Sequence, residues 1–350
     1  MSALFQNHCP LCSGKAVRLK TESVSGLLRN MQLFKSLEIS ILMLFSKQQL
    51  DMISKDKDDK LIRIYFFVCD KFEELQFYCE RFSNNNQPKF TDQEIMTIYL
   101  YAMHHEGHTK VKQIYRFASD WLRSWFPKLG SYQAFNNRLN RLGGAFTRLV
   151  EMILTDYQPE DCCLDQSLMD SMPIITCSGK RTGKVAKELT DKGYCSTKGM
   201  YYYGLKMHLL GFRRIGKLPH PEQVLFTPAS VNDVTVFKES WSAIENRTFF
   251  GDKMYFVNQL NQEMLKHQNS ETLSPIKAVK GMTDVIKQRI KAADDLFSTA
   301  VSKVRQPVEA IFSWLIEKSD IQKASKVRST KGLMVHAFGR LAAAFINLAI

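Results

Sequence analysis

CCLDQSLMDSMPII, residues 162–175, is where the character of the chain changes. It is short, apolar and strand-like, and Pro173 is expected to break it, because proline cannot donate to a ladder. Similar stretches follow it. MYYYGLKMHLLGF at 200–212 puts Tyr202, Gly204, Lys206 and His208 on one parity, the alternation of a strand. QVLFTPASVND at 223–233 reads as a third strand running into a turn, and RTFFGDKMY at 247–255 as a fourth, stopping at Gly251-Asp252. SPIKAVK at 274–280 reads as a fifth, with helices in the gaps and over 304–350. Strands first, then strands alternating with helices, is a mixed α/β pattern over 159–350.

Upstream, residues 61–158 read as an all-α domain. TDQEIMTIYLYAM at 91–103 opens with Thr91 and, three residues on, Glu94, a capping box followed by apolar residues at helical spacing. Further helices are expected over 110–126 and 131–154, both interleaving aromatic and basic residues. HHEGH at 104–108 places His104 and His108 four apart, but Gly107 between them favours a helix end over a metal pair. Residues 1–60 read as a poorly defined extension, with SKDKDDK at 54–60 as a solvated linker. Met52 suggests an alternative start. Cys9-x-x-Cys12 beside His8 has no second pair at finger spacing, so a chance pair is the better reading.

Among 350 residues the net charge is +13. Residues 51–160 balance 15 basic against 15 acidic groups, yet within them 110–148 hold eight basic groups against Asp120. Residues 179–217 hold ten against Glu188 and Asp191, and 302–340 hold eight against Glu309, Glu317 and Asp320. Three basic stretches suggest a long polyanion touched by several parts of the fold, which favours nucleic acid over a small anion. The eight cysteines lack framework spacing and follow no signal peptide, so reduced thiols in a cytoplasm are expected. The longest apolar runs, 40–46 and 341–350, fall short of the ~20 residues that span a bilayer.

Two of the expected strands stop on an acid, Asp170 and Asp252, and ligands of α/β sheets gather beyond strand ends. Such carboxylates repel, and divalent cations relieve that repulsion. Glu309, in RQPVEAIFSW at 305–314, could bring a third carboxylate from a helix and complete a two-metal site for phosphodiester chemistry. Taken singly, each Asp is better explained as a turn or cap residue. Glu309 is equally well explained as the N3 residue of a helix with Pro307 at N1 and Gln306 as N-cap.

The order of the motifs decides between these. MDSMPI at 169–174, KGMYYYGLKMHLL at 198–210, TPASVNDV at 227–234, FFGDKMY at 249–255 and VRQPVEAIFSWL at 304–315 resemble, in sequence order, the DDE transposases of bacterial insertion sequences. The closest likeness is to the insertion-sequence family numbered nine-eighty-two, and KFTDQEIMTIYLY and SYQAFNNRL extend it into the helical part. The resemblance implies a ribonuclease-H-like catalytic domain over 159–350, with Asp170, Asp252 and Glu309 as catalytic acids and ligands of two Mg²⁺ ions, for which Mn²⁺ substitutes. It implies hydrolysis at the ends of the mobile element, then attack of the freed 3′-hydroxyl on target DNA, with no covalent protein–DNA intermediate.

Arg305 matches a related Arg four residues before the Glu. The Tyr often found three residues before that Arg is Ser302 here, and the Lys expected seven after the Glu is Ile316, with Lys318 as a substitute. Asp233 matches a recurrent acid outside the triad, either supporting the site or only forming a turn. Lys198, Lys206, His208, Arg305 and Lys318 are expected to hold DNA phosphates. Helices 61–158 are expected to bind the terminal repeat of double-stranded DNA, with the protein dimeric or higher on DNA, cytoplasmic and nucleoid-associated. Two alternatives stand beside this: a metal-dependent nuclease on the same fold, and an inactive, transposase-derived DNA-binding protein.

Overall fold

The computed structural model describes residues 55–80, 88–276 and 283–350. His8, Cys9, Cys12 and Met52 lie outside them. Five helices lead: α1 Lys55–Leu75, α2 Asp92–His104, α3 Val111–Trp121, α4 Tyr132–Leu139 and α5 Gly143–Asp156. The capping box forms as expected: Thr91 Oγ1 accepts the Glu94 N–H, and the Glu94 carboxylate accepts the Thr91 N–H. The charged stretch expected as a linker instead opens α1 from Lys55. Asp58 and Asp59 lie near the positive end of the helix, and Lys57 pairs with Glu106 at 2.9 Å. The single helix expected over 131–154 is two, parted at 140–142, where Gly143-Gly144 lowers helix propensity. His104 holds Ala343 O through Nδ1 and Asn347 Oδ1 through Nε2, tying α2 to the C-terminus.

The strands are β1 Cys163–Ser178, β2 Asp191–Cys195, β3 Met200–Arg213, β4 His220–Pro228, β5 Thr248–Phe250 and β6 Glu271–Leu273. They form one mixed sheet in the order β2-β3-β1-β5-β6, with β4 also on β3. β1 is antiparallel to β3 and parallel to β5, which is parallel to β6. Three expectations change. β2 went unread. A strand forms at 271–273, and 274–276, which hold Pro275, lie outside it; the rest of the expected strand, 277–280, lies outside the described residues. And Pro173 does not break β1, which runs on for 16 residues. Ile175, of the same parity, sends its N–H to Gln322 O on the side away from β3. The N–H that Pro173 lacks would point to that same side, so the β3 ladder loses nothing.

The remaining helices are α6 Asp233–Val236, α7 Asn258–His267, α8 Asp284–Arg305, α9 Pro307–Ser319, α10 Thr330–Met334 and α11 Arg340–Phe345. Side chains of β1 and β3 alternate between two cores. Leu168, Met172, Ile174, Leu205, Met207 and Leu209 join a cluster that runs from Leu61 to Ile346. Met169, Leu210 and Phe249 join Phe237, Trp241 and Tyr255 on the other face. α11 packs on α2, α5 and α9, so the N-terminal helices and the sheet region share a core.

Candidate catalytic site

Asp170 lies in the middle of β1, not at its end as the sequence suggested. The strand-end argument holds for its neighbour instead. β5 pairs with residues 166–168 of β1 and stops at Phe250, opposite Leu168. Two residues further comes Asp252, close enough for its charge to act on Asp170, where β1 has run past its parallel partner. Gly251 lets these side chains close in: a Cβ there would lie 2.8 Å from Met169 Cε and 2.9 Å from the Tyr255 ring, and both would have to shift.

The third acid comes from the α8–α9 junction. Pro307 opens α9 at N1, as expected, but Glu309 makes no capping bond. Its side chain is 58% exposed, and its Oε1 accepts from Arg305 Nη2 at 2.5 Å. The apolar neighbours Val308, Ile311, Phe312 and Leu315 are buried and seat α9 against β1. Glu309 is therefore not a carboxylate buried among them but one held at the rim. Arg305 Nη1 donates to Asp170 Oδ2 at 2.8 Å, so one guanidinium joins the first and third acids. Burial pushes Asp170 up to about 6; Arg305 opposes this, while Asp233 and Asp252 add to it. Burial works against the Arg305 charge, yet Asp170, Glu309 and Asp252 hold its pKa above the ordinary value.

Asp233 is the first residue of α6, where Asn232 Oδ1 caps Val234. It ion-pairs with Lys206 Nζ at 3.1 Å and faces His208 Nδ1 at 3.5 Å. Lys206 also donates to Val231 O at 2.8 Å. His208 is fully buried, with Nε2 at 2.8 Å from Thr227 Oγ1, and burial lowers its pKa so that it is neutral at pH 7. Lys206 thus ion-pairs with Asp233, while the neutral His208 faces it without a hydrogen bond from Nδ1, so neither presents an open cation. Sequence reasoning missed Tyr255. Its hydroxyl is buried without a hydrogen-bond partner, and burial followed by Asp233, Asp170 and Asp252 pushes its pKa upward. The motif FFGDKMY contained it, but nothing in the spacing shows that its ring turns back beneath Gly251.

A family model described as the transposase DDE domain matches residues 162–347. The chain belongs to the DDE transposases. No curated protein and no solved structure matches it. In this transposase Lys198 and Lys318 lie apart from the acids. Lys198 stands in the β2–β3 turn and bonds Gln322 Oε1. Lys318 is nine residues along α9 from Glu309, about 13 Å, and its charge acts on His104. DDE transposases generally use divalent metal ions. Asp170, Asp252 and Glu309 offer the hard oxygen donors that Mg²⁺ takes. Asp170 is crowded by negative charge that a cation would relieve. The donors fit in kind; among the described residues, however, no three His, Cys, Asp or Glu side chains are gathered closely enough to hold an ion. Arg305 stands between two of them.

Proposed function

We propose that this DDE transposase cuts the ends of an insertion sequence and joins the freed 3′-hydroxyl to target DNA, with Asp170, Asp252 and Glu309 as metal-binding catalytic acids. The observation that carries the reading is the Arg305 guanidinium bridging Asp170 and Glu309 beside the Asp252 turn. That guanidinium ties an acid of a strand to an acid of a helix junction, and the charge of Asp252 acts on both Asp170 and Arg305. Two Mg²⁺ ions, or Mn²⁺ in their place, would supply the Lewis-acid charge for phosphodiester chemistry. The guanidinium fork matches phosphate as well as carboxylate, so Arg305 is suited to exchange its carboxylates for a DNA phosphate. Lys206 pairs with Asp233, whose charge reaches Asp170, which suits Lys206 to a supporting role rather than a DNA contact.

The sheet order, with an antiparallel β4-β3-β1 arm and parallel β5 and β6, supports a ribonuclease-H-like reading. Within the DDE transposases, the motif order favours the insertion-sequence family numbered nine-eighty-two. The basic stretch 110–148 suits residues 61–158 to the terminal repeat, and assembly on DNA as a dimer or more follows from pairing two ends. Among the described residues no helix is long and apolar enough to cross a membrane. A strand-transfer assay with Mg²⁺ and element-end DNA tests the reading. Joined product is expected. Cut but unjoined product would point to a nuclease, and binding without cutting to an inactive descendant.

A further inference from the structure

We infer that the β2–β3 hairpin carries a stacking platform for unpaired DNA bases, built from Tyr194 and Tyr201 and ringed by phosphate-binding cations; the inference rests on DNA being the substrate. The two tyrosines are register partners across the hairpin, with ring centroids 5.0 Å apart. Lys192 Nζ lies over one face of the Tyr201 ring, 5.0 Å from its centroid. A cross-strand aromatic pair can serve only to stabilise a hairpin. This pair, however, leaves 54% and 58% of its residues' surface in solvent. Bases inside a duplex have both faces covered, so an open aromatic face fits an unpaired one.

The charge around the pair fits a nucleic-acid strand. Lys180, Arg181 and Lys184 are exposed in the segment joining β1 to β2. The two acids of that region are occupied: Asp191 accepts the Ser230 N–H at 2.7 Å, and Glu188 accepts from Thr330 Oγ1. The fold also brings a second basic stretch here. Ile175 N donates to Gln322 O at 2.8 Å and Ala324 N to Ile175 O at 2.9 Å, which sets exposed Lys323 beside the end of β1. Stretches that are more than a hundred residues apart in sequence thus line one end of the sheet. Tyr201 is eight residues along β3 from Leu209, the partner of Asp170. At about 3.3 Å per residue that is roughly 26 Å, or about eight nucleotide steps of B-form DNA.

The test is anisotropy of a labelled single-stranded 12-mer and of the matching duplex, without divalent metal so that nothing is cut. The double variant Tyr194→Ala/Tyr201→Ala is expected to weaken single-strand binding by about tenfold or more, consistent with the loss of base–aromatic stacking. Duplex affinity should stay within about twofold and the salt dependence unchanged, since no charge is lost. Tyr201→Trp should keep single-strand binding, which guards against a hairpin that merely misfolds. Lys192→Gln should flatten the single-strand salt slope by about 0.7. Unchanged single-strand affinity in the double variant, an equal loss on duplex, failure of Tyr201→Trp to bind, or a tenfold preference for RNA of the same sequence would each overturn the inference. If the wild type cuts and joins DNA while these variants bind as it does, the platform alone is wrong. If the stacking pattern holds but no cutting occurs, the platform stands and the transposition reading falls.

Discussion

At the scale of single residues, one guanidinium dominates the site. Arg305 offsets part of the negative charge of Asp170, Asp252 and Glu309, but burial of Asp170 outweighs it, with Asp233 and Asp252 adding to the effect. Its carboxyl is raised from 3.8 to about 6, so between those pH values the folded state binds more proton than the unfolded chain. Stability must then fall as pH rises across that window, and at pH 7 the penalty is at most about 3 kcal/mol. Asp170→Asn removes it. In metal-free thermal melts the variant should be more stable than wild type at pH 7, with the difference vanishing below about pH 4. An equal difference at both pH values would mean that Asp170 is not strained by its surroundings. The acids could be singled out from sequence as candidates, because each sits in a short motif and the motifs come in order. The guanidinium bridge was not, since it depends on how the α8–α9 junction meets β1. The same holds for Lys206 and His208: parity put them on one face of a strand, but only α6 shows that Lys206 pairs with Asp233 and that His208 faces it.

At the scale of elements, close approach sets the geometry. A Cβ at Gly204 would lie 1.9 Å from Ile174 O, a backbone atom of the paired strand. Gly204→Ala should therefore part β3 from β1 and cost on the order of 3 kcal/mol or more, seen as a large drop in the denaturation midpoint. Gly251→Ala meets movable side-chain atoms, Met169 Cε and the Tyr255 ring, and should be milder in stability. Because Asp252 follows directly, its cleavage rate should fall more than its melting temperature suggests; a large melting shift with unimpaired cleavage would contradict that. Strand alternation made β3 and β4 readable. Pro173 misled because a missing N–H matters only on the side where a partner waits. β2 escaped because DKGYC is short and is mostly held by its pairing with β3. The α4–α5 break escaped because apolar spacing continues through Gly143-Gly144.

For the whole molecule, the family match covers residues 162–347, yet the core does not stop at 162. Tyr99 and Phe146 of α2 and α5 are buried in the same cluster as Phe345 and Leu341 of α11. A boundary at 158/159, plausible from the change of composition, cuts through that cluster. The fragment 159–350 is expected to expose the apolar faces of β1 and α11 and to lack a cooperative melt by circular dichroism, whereas the full chain melts in one transition over these elements. A fragment that melts cooperatively by itself would show that the helices are an appendage. The three basic stretches were countable from sequence, but not that the fold gathers two of them at one end of β1.

The central claim is that Asp252 is a catalytic metal ligand and not a turn residue. The direct measurement is Mg²⁺-dependent cleavage of element-end DNA by wild type and Asp252→Asn, with DNA binding measured in parallel. The expected result is unchanged binding with cleavage lowered at least about a hundredfold, since loss of a carboxylate ligand weakens the charge that stabilises the transition state. Cleavage by Asp252→Asn at the wild-type rate would contradict the assignment.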